Sequence, residues 1–192
     1  MDNKKLIARQ ISELTIPLGD KALSKLASIL TYTALKKGEQ YLKEGEVCTE
    51  IGYVHKGIIR QFYYKNNKEL TEFFAYENKL FVSLESYFRQ SPSHLITEAL
   101  ENTIIYGIPY DALIKLTEED REIAAMYRSL LETSLIISQR KTDSFRYETA
   151  KERYTRLMKE DPEIIKRAPL SQIASFLLMT PETLSRVRGN KL

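Results

Sequence analysis

The apolar residues of this 192-residue chain change their repeat twice, and that double change limits the fold more than any other feature. Between residues 4 and 30 they recur at intervals of three and four: Leu6, Ile7, Ile11 and Leu14, then Leu23, Leu26, Ala27 and Leu30. This spacing predicts two short helices broken at Ile16-Pro17-Leu18-Gly19, with Asp20 placed to cap the second. From about Thr31 to Pro109 the period is two. Segments rich in Tyr, Ile, Val and Phe are cut by Lys43-Glu44-Gly45-Glu46, Lys56-Gly57, Lys65-Asn66-Asn67-Lys68 and Ser91-Pro92-Ser93. Short strands between such turn signals predict a compact antiparallel sandwich or barrel-like roll. Asn66-Asn67 reads as a hairpin turn, because asparagine tolerates the left-handed conformations that such turns need. After Asp111 the helical spacing returns and holds to the end. The expected class is α+β: an antiparallel β-roll with flanking helices over 1–115, a long helix over 116–140, and a C-terminal helix pair within 141–192.

Within the long helix, Ile123, Met126, Leu130, Thr133 and Ile137 recur at three and four, while Tyr127, Leu131 and Leu135 form a neighbouring stripe. One stripe is expected to cover the sheet and the first to meet a second copy of the helix, as in a short coiled coil. A single wide stripe buried within one subunit is the alternative. The acidic run Leu116–Ile123, LTEEDREI, is read as the N-terminal turn of this helix, where carboxylates suit the dipole.

Residues 169–191, PLSQIASFLLMTPETLSRVRGNK, predict two short helices joined by a tight connection. Thr180 is a good N-cap, and Pro181 at the next position loses no helical hydrogen bond. Ile173, Ala174 and Leu177 share a face of the first helix, and Leu184 and Val187 share a face of the second. Buried together, they leave Glu182, Ser185 and Arg186 pointing outward. A short polar helix end with an arginine is what a major groove admits. The plain alternative is a surface hairpin whose Glu182–Arg186 spacing is an i,i+4 ion pair. Leu178 occupies the turn, where a left-handed conformation costs a non-glycine residue about 1 kcal/mol. With Leu192 the last residue, no strand pair is expected to brace the second helix.

Charge favours a polyanion partner. The net charge is only +3, yet residues 139–192 hold 12 Lys/Arg against 7 Asp/Glu, and residues 1–138 hold 17 against 19. A basic C-terminal third behind a mildly acidic body suits nucleic acid. Cys48 is the only cysteine, which excludes a disulfide or a Cys-ligated cluster within one chain. No run of about 18 apolar residues is present, and the N-terminus, MDNKKLIARQISEL, has no signal-peptide core. A cytoplasmic location without membrane contact is expected.

A β-roll, a long helix and a helix-turn-helix, in that order, resemble the cAMP receptor protein/FNR family of bacterial transcription regulators over nearly the whole chain. Thr180–Arg188, TPETLSRVR, is similar to that family's recognition helix, whose pattern is Ser/Thr-x-Glu-Thr-apolar-small-Arg. Tyr41–Tyr63, YLKEGEVCTEIGYVHKGIIRQFY, is similar to its sheet segment, with Gly45 and Gly57 at the turn glycines. The resemblance implies that Glu182 and Arg186 contact base edges. This agrees with arginine as the bidentate partner of guanine and a carboxylate as acceptor from cytosine N4. Thr180, Thr183, Ser185, Ser171, Gln172 and Arg188 are the phosphate-facing candidates, which position without specifying. The implied partners are double-stranded DNA, a second copy of the chain and a small-molecule effector of unknown identity, with RNA polymerase open as a fourth.

The family's cyclic-nucleotide pocket has a Gly-Glu pair after a strand and an arginine about ten residues later. Here FVSLESYFRQSPSHLITEAL places Ser83-Leu84 at the first position and His94-Leu95 at the second. Glu85 falls one residue late, Arg89 is out of register, and a titrating His94 is a weak substitute for a fixed guanidinium. Ser83, Glu85, Arg89 and His94 are therefore the effector-pocket candidates, and cAMP is not the expected ligand. The sequence carries no enzyme motif. His55 and His94 lie in separate segments without a second ligand at metal-binding spacing, and no glycine-rich phosphate loop exists. No cofactor or metal is expected. The reading is a dimeric, sequence-specific DNA-binding regulator. The alternative is a non-enzymatic sensor or scaffold module without DNA binding, and a third is a small-molecule-binding or catalytic β-roll protein.

Overall fold

A computed structural model describes residues 3–189; expectations about Met1, Asp2 and residues 190–192 fall outside that range. Helices α1 (Asn3–Glu13) and α2 (Asp20–Ile29) precede strands β1 (Thr33–Leu35), β2 (Gln40–Leu42), β3 (Glu50–Lys56), β4 (Ile58–Lys65), β5 (Lys68–Tyr76) and β6 (Leu80–Phe81). Helix α3 (Leu84–Arg89) separates these from β7 (Ile96–Ala99) and β8 (Thr103–Pro109). The chain continues through α4 (Tyr110–Glu119), α5 (Arg121–Tyr147), α6 (Ala150–Glu160), α7 (Pro162–Arg167), α8 (Leu170–Phe176) and α9 (Pro181–Arg188). The strands form two four-stranded antiparallel sheets, ordered β1-β8-β3-β6 and β2-β7-β4-β5.

Both outer faces of the roll are covered, and this explains the burial along its strands. Val54, Ile59, Ala75, Phe81 and Ile105 fill the space between the sheets. On the outer face of the first sheet, Ile51, Tyr53, Tyr106 and Ile108 meet Ile7 and Ile11 of α1, Leu23 and Leu26 of α2, Leu113 of α4, and Ile123 and Met126 of α5. On the outer face of the second, Ile58 and Phe74 join Tyr154, Leu157, Ile164, Ile173, Leu184 and Val187 of the C-terminal helices. A strand covered on both sides reads as a near-continuous buried run, as β3 and β4 do. The β4–β5 hairpin turns at Asn66 and Asn67, whose φ values of 51° and 58° match the expected left-handed turn.

Several expectations are corrected. Asp20 is the first helical residue of α2, and Gly19 is the N-cap; the Gly19 N–H donates to Glu122 at 2.6 Å. The segment LTEEDREI does not open one helix. Its first half ends α4, and Asp120 then caps α5 by accepting from the N–H groups of Glu122 and Ile123 at 3.0 and 3.4 Å. Lys25 holds the other Asp120 oxygen at 2.7 Å. That bond, chiefly, keeps the Asp120 carboxyl below the usual range. The long helix is thus 27 residues, Arg121–Tyr147, starting later and ending later than 116–140. The stripe assigned to a partner helix also divides. Ile123 and Met126 are fully buried in the chain's own core, and Leu130 packs half-buried against it. Thr133 and Ile137 are exposed.

Candidate functional site

The C-terminal helix pair is built by a compact link. Helix α8 ends with Leu178 N–H donating to Ser175 O at 3.1 Å and Met179 N–H to Ala174 O at 3.0 Å, the paired bonds of a Schellman end. Leu178 takes the left-handed position with φ 51° and is 55% exposed. Its side chain contributes little burial there while its Cβ meets the backbone. Leu178→Gly is therefore expected to stabilise the protein by up to about 0.5 kcal/mol, the left-handed strain relieved less glycine's extra freedom when unfolded. Tm in a thermal melt should rise by up to about 2 °C. A fall would show that the Leu178 side chain matters more than its backbone.

Thr180 caps α9 as expected, its hydroxyl accepting from the Thr183 N–H at 3.2 Å. Leu184 and Val187 are buried, which leaves Glu182, Ser185, Arg186 and Arg188 exposed along one side of α9. Among the described residues no ion pair joins Glu182 to Arg186 or occupies Arg188. The Glu182 carboxyl is held below the usual carboxylate range, first by its own backbone N–H, then by the Thr180 hydroxyl and the nearby Arg186 charge. At neutral pH it is an acceptor. Thr183 is half-buried with its hydroxyl 3.2 Å from that of Thr180. Ser171 is exposed at the start of α8, and Gln172 is half-buried.

The helix pair rests on the roll through polar contacts that the sequence did not announce. Arg167 at the end of α7 donates to Glu77 at 2.7 and 3.1 Å and to Glu101 at 2.7 Å. Burial works to raise the Glu77 carboxyl, but Arg167 and the backbone N–H groups of Glu77 and Gly57 together hold it below the usual range. Tyr76 donates to Asp161 at 2.7 Å. The Ser175 hydroxyl of α8 accepts from the Thr71 N–H at 2.9 Å. Beneath it Arg60, 2% exposed, donates to Thr71 at 2.9 Å and to Glu69 at 2.7 Å. A charge inside the apolar run Ile58-Ile59-Arg60-Gln61-Phe62 was the available signal for this buried network.

A second feature is a cavity of about 260 Å³ at the end of the roll. Tyr41, Glu46, Glu50, Gln61, Phe81, Ser83 and Thr97 carry its chemistry, and among the described residues no lysine, arginine or histidine lines it. Of the four effector-pocket candidates only Ser83 is there. Glu85 and Arg89 pair with each other at 3.5 Å on the solvent side of α3. Period-two alternation does not apply to them, because that stretch is a helix. His94 is exposed and stands edge-on to Tyr63 at 5.6 Å. The Glu50 carboxylate accepts from Tyr41 at 2.6 Å and Thr31 at 2.9 Å. A Cβ on Gly107 would lie 1.8 Å from a Glu50 oxygen, so β8 passes beside this carboxylate only as glycine. Burial and the Glu50 hydrogen bond push the Tyr41 hydroxyl upward, keeping it a neutral donor. Among the described residues no cluster of three His, Cys, Asp or Glu is placed to hold a metal. None of their helices is long and apolar enough to cross a membrane.

The sequence matches no protein-family model and no curated protein. Solved structures do match. FixK2 from Bradyrhizobium japonicum aligns with TM-score 0.72 and 19% identity over 84% of each chain. A protein assigned to the Crp/Fnr family of transcriptional regulators, from Eubacterium rectale, aligns with TM-score 0.66 and 17% identity over 90% of this chain and 83% of its own. A cyclic nucleotide-binding domain from Methylobacillus flagellatus aligns with TM-score 0.62 and 17% identity over 76% and 83%. By architecture the chain is a structural match to Crp/Fnr regulators. Its roll is similar in fold to a cyclic nucleotide-binding domain.

Proposed function

We propose that the protein is a dimeric, sequence-specific DNA-binding transcription regulator that reads the major groove with α9. The proposed division is a sensor roll over 1–115, a dimer helix that on these boundaries extends to Tyr147, and a C-terminal DNA-reading unit to 192. The observation that carries the reading is the exposed row Glu182, Ser185, Arg186 and Arg188 on a helix anchored by buried Leu184 and Val187. In this reading Glu182 and Arg186 meet base edges, while Thr180, Ser171 and Arg188 position the helix on phosphates. The fold match to a Crp/Fnr regulator supports the assignment. The cavity without a cationic side chain supports an effector other than cAMP, since a cyclic phosphate needs donors of positive charge. The same chemistry gives no support to a catalytic roll.

Binding to a mixed-sequence duplex, followed by fluorescence anisotropy across a salt series, tests DNA contact. The observed affinity should fall linearly in log–log form, by about 0.9 decade per decade of salt for each phosphate neutralised. A salt-independent signal, or none at about 10 μM protein in low salt, favours the sensor module without DNA binding.

A further inference from the structure

We propose that the roll cavity is a binding site for a small organic ammonium ion, with Glu50 as its counter-ion. The proposal deepens the sensor half of the reading above, and it stands or falls without reference to DNA. Three observations converge. First, the Glu50 carboxylate at the cavity wall accepts from two neutral hydroxyls, Tyr41 at 2.6 Å and Thr31 at 2.9 Å. Among the described residues no Lys, Arg or His lies within ion-pair distance of it. A half-buried carboxylate is costly when unpaired, and neutral donors offset only part of that cost.

Second, the rings of Tyr41 and Phe81 meet at 5.5 Å and 76°, forming an aromatic corner in the same cavity. Aromatic faces beside a carboxylate are the surroundings that organic cations favour, and they disfavour anions. Third, the lining offers further acceptors, among them the carboxylate of Glu46, which also accepts from the Lys43 N–H at 2.9 Å. Gln61 donates its amide N–H to the Thr97 hydroxyl at 3.1 Å, and its amide oxygen makes no bond to another described residue. The Ser83 and Ser93 hydroxyls lie 2.9 Å apart at the same wall. The volume of about 260 Å³ sits just below the usual range for small-molecule sites, so the ligand is small. Glu50 also stands beside Gly107 on β8, the strand that pairs with β3.

Calorimetry on the full chain with charge-paired probes tests this directly. Choline is compared with its uncharged isostere 3,3-dimethylbutan-1-ol, phenethylamine with 2-phenylethanol, and cAMP is run alongside. At least one ammonium should bind about tenfold or more tighter than its uncharged counterpart, and cAMP should not bind. Glu50→Gln, which keeps the acceptor for Tyr41 and Thr31 and leaves Glu46 in the lining, should sharply reduce the preference for charge. Equal binding within both pairs, no saturable binding of either ammonium to about 10 mM, or displacement by cAMP overturns the proposal. The wild-type comparison decides even if Glu50→Gln folds poorly. Ammonium binding without DNA binding would sink the regulator reading alone, and DNA binding without ammonium binding would sink this one alone.

Discussion

Leu135→Glu is expected to turn a dimer into a monomer at micromolar concentration. Leu135, Ile136 and Ile137 are 70%, 52% and 50% exposed in the middle of α5. Three consecutive apolar residues span more than half the circumference of a helix, and the described residues leave half or more of each exposed. Above this point α5 is held by Ile123 and Met126 in the first core. Below it, Lys141 bonds to Glu72, and Arg156 donates to Ser144 at 2.6 Å. The free stretch is therefore rigidly presented from both ends. Burying one leucine contributes about 1.5–3 kcal/mol, and two-fold symmetry counts it twice, so its loss weakens a dimer by roughly two to four orders of magnitude. Two carboxylates facing each other across the axis add to that. Sedimentation velocity checks the expectation. A variant that stays dimeric, or a wild type that is already monomeric, would remove α5 as the interface. Leu130→Glu, by contrast, should destabilise the fold itself, because Leu130 packs against its own chain.

The second large effect is expected at Arg186. If α9 reads the major groove, Arg186→Ala loses about 1–3 kcal/mol at each half-site and relaxes base preference at one position. A dimer loses it twice, so affinity for a two-fold site should drop by one to four orders of magnitude. The fold should be untouched, because the Arg186 side chain is exposed and makes no ion pair among the described residues. A competition assay against permuted duplexes separates this from a general loss of charge, which would weaken all sequences alike. Unchanged affinity together with unchanged base preference would mean that α9 does not enter the groove.

The double change of period made the α+β order readable, and the Asn66-Asn67 turn and the Thr180 cap were local enough to be read in place. What failed was context. The spacing of Ile123, Met126, Leu130, Thr133 and Ile137 says which residues share a face, not what covers it, and here the chain covers the first part itself. Helix α3 is six residues, too short for a period to emerge from FVSLESYFRQ. Glu50 opens β3, and no motif or spacing in the sequence marks it out. Only the return of β1, β2 and β8 beside it makes a cavity wall. Arg167 meets Glu77 and Glu101 across 90 and 66 residues of sequence, a distance over which residue pattern carries no signal.

Selection from a pool of randomised duplexes tests whether two copies of α9 read DNA together. An inverted repeat should be enriched, its half-sites about 10–10.5 base pairs apart, one helical turn, to match two copies of α9 in successive major grooves. The enriched site should hold a guanine in each half that Arg186→Ala no longer selects. Recovery of unenriched sequence, or of a single unrepeated half-site by a dimeric protein, would contradict that joint reading.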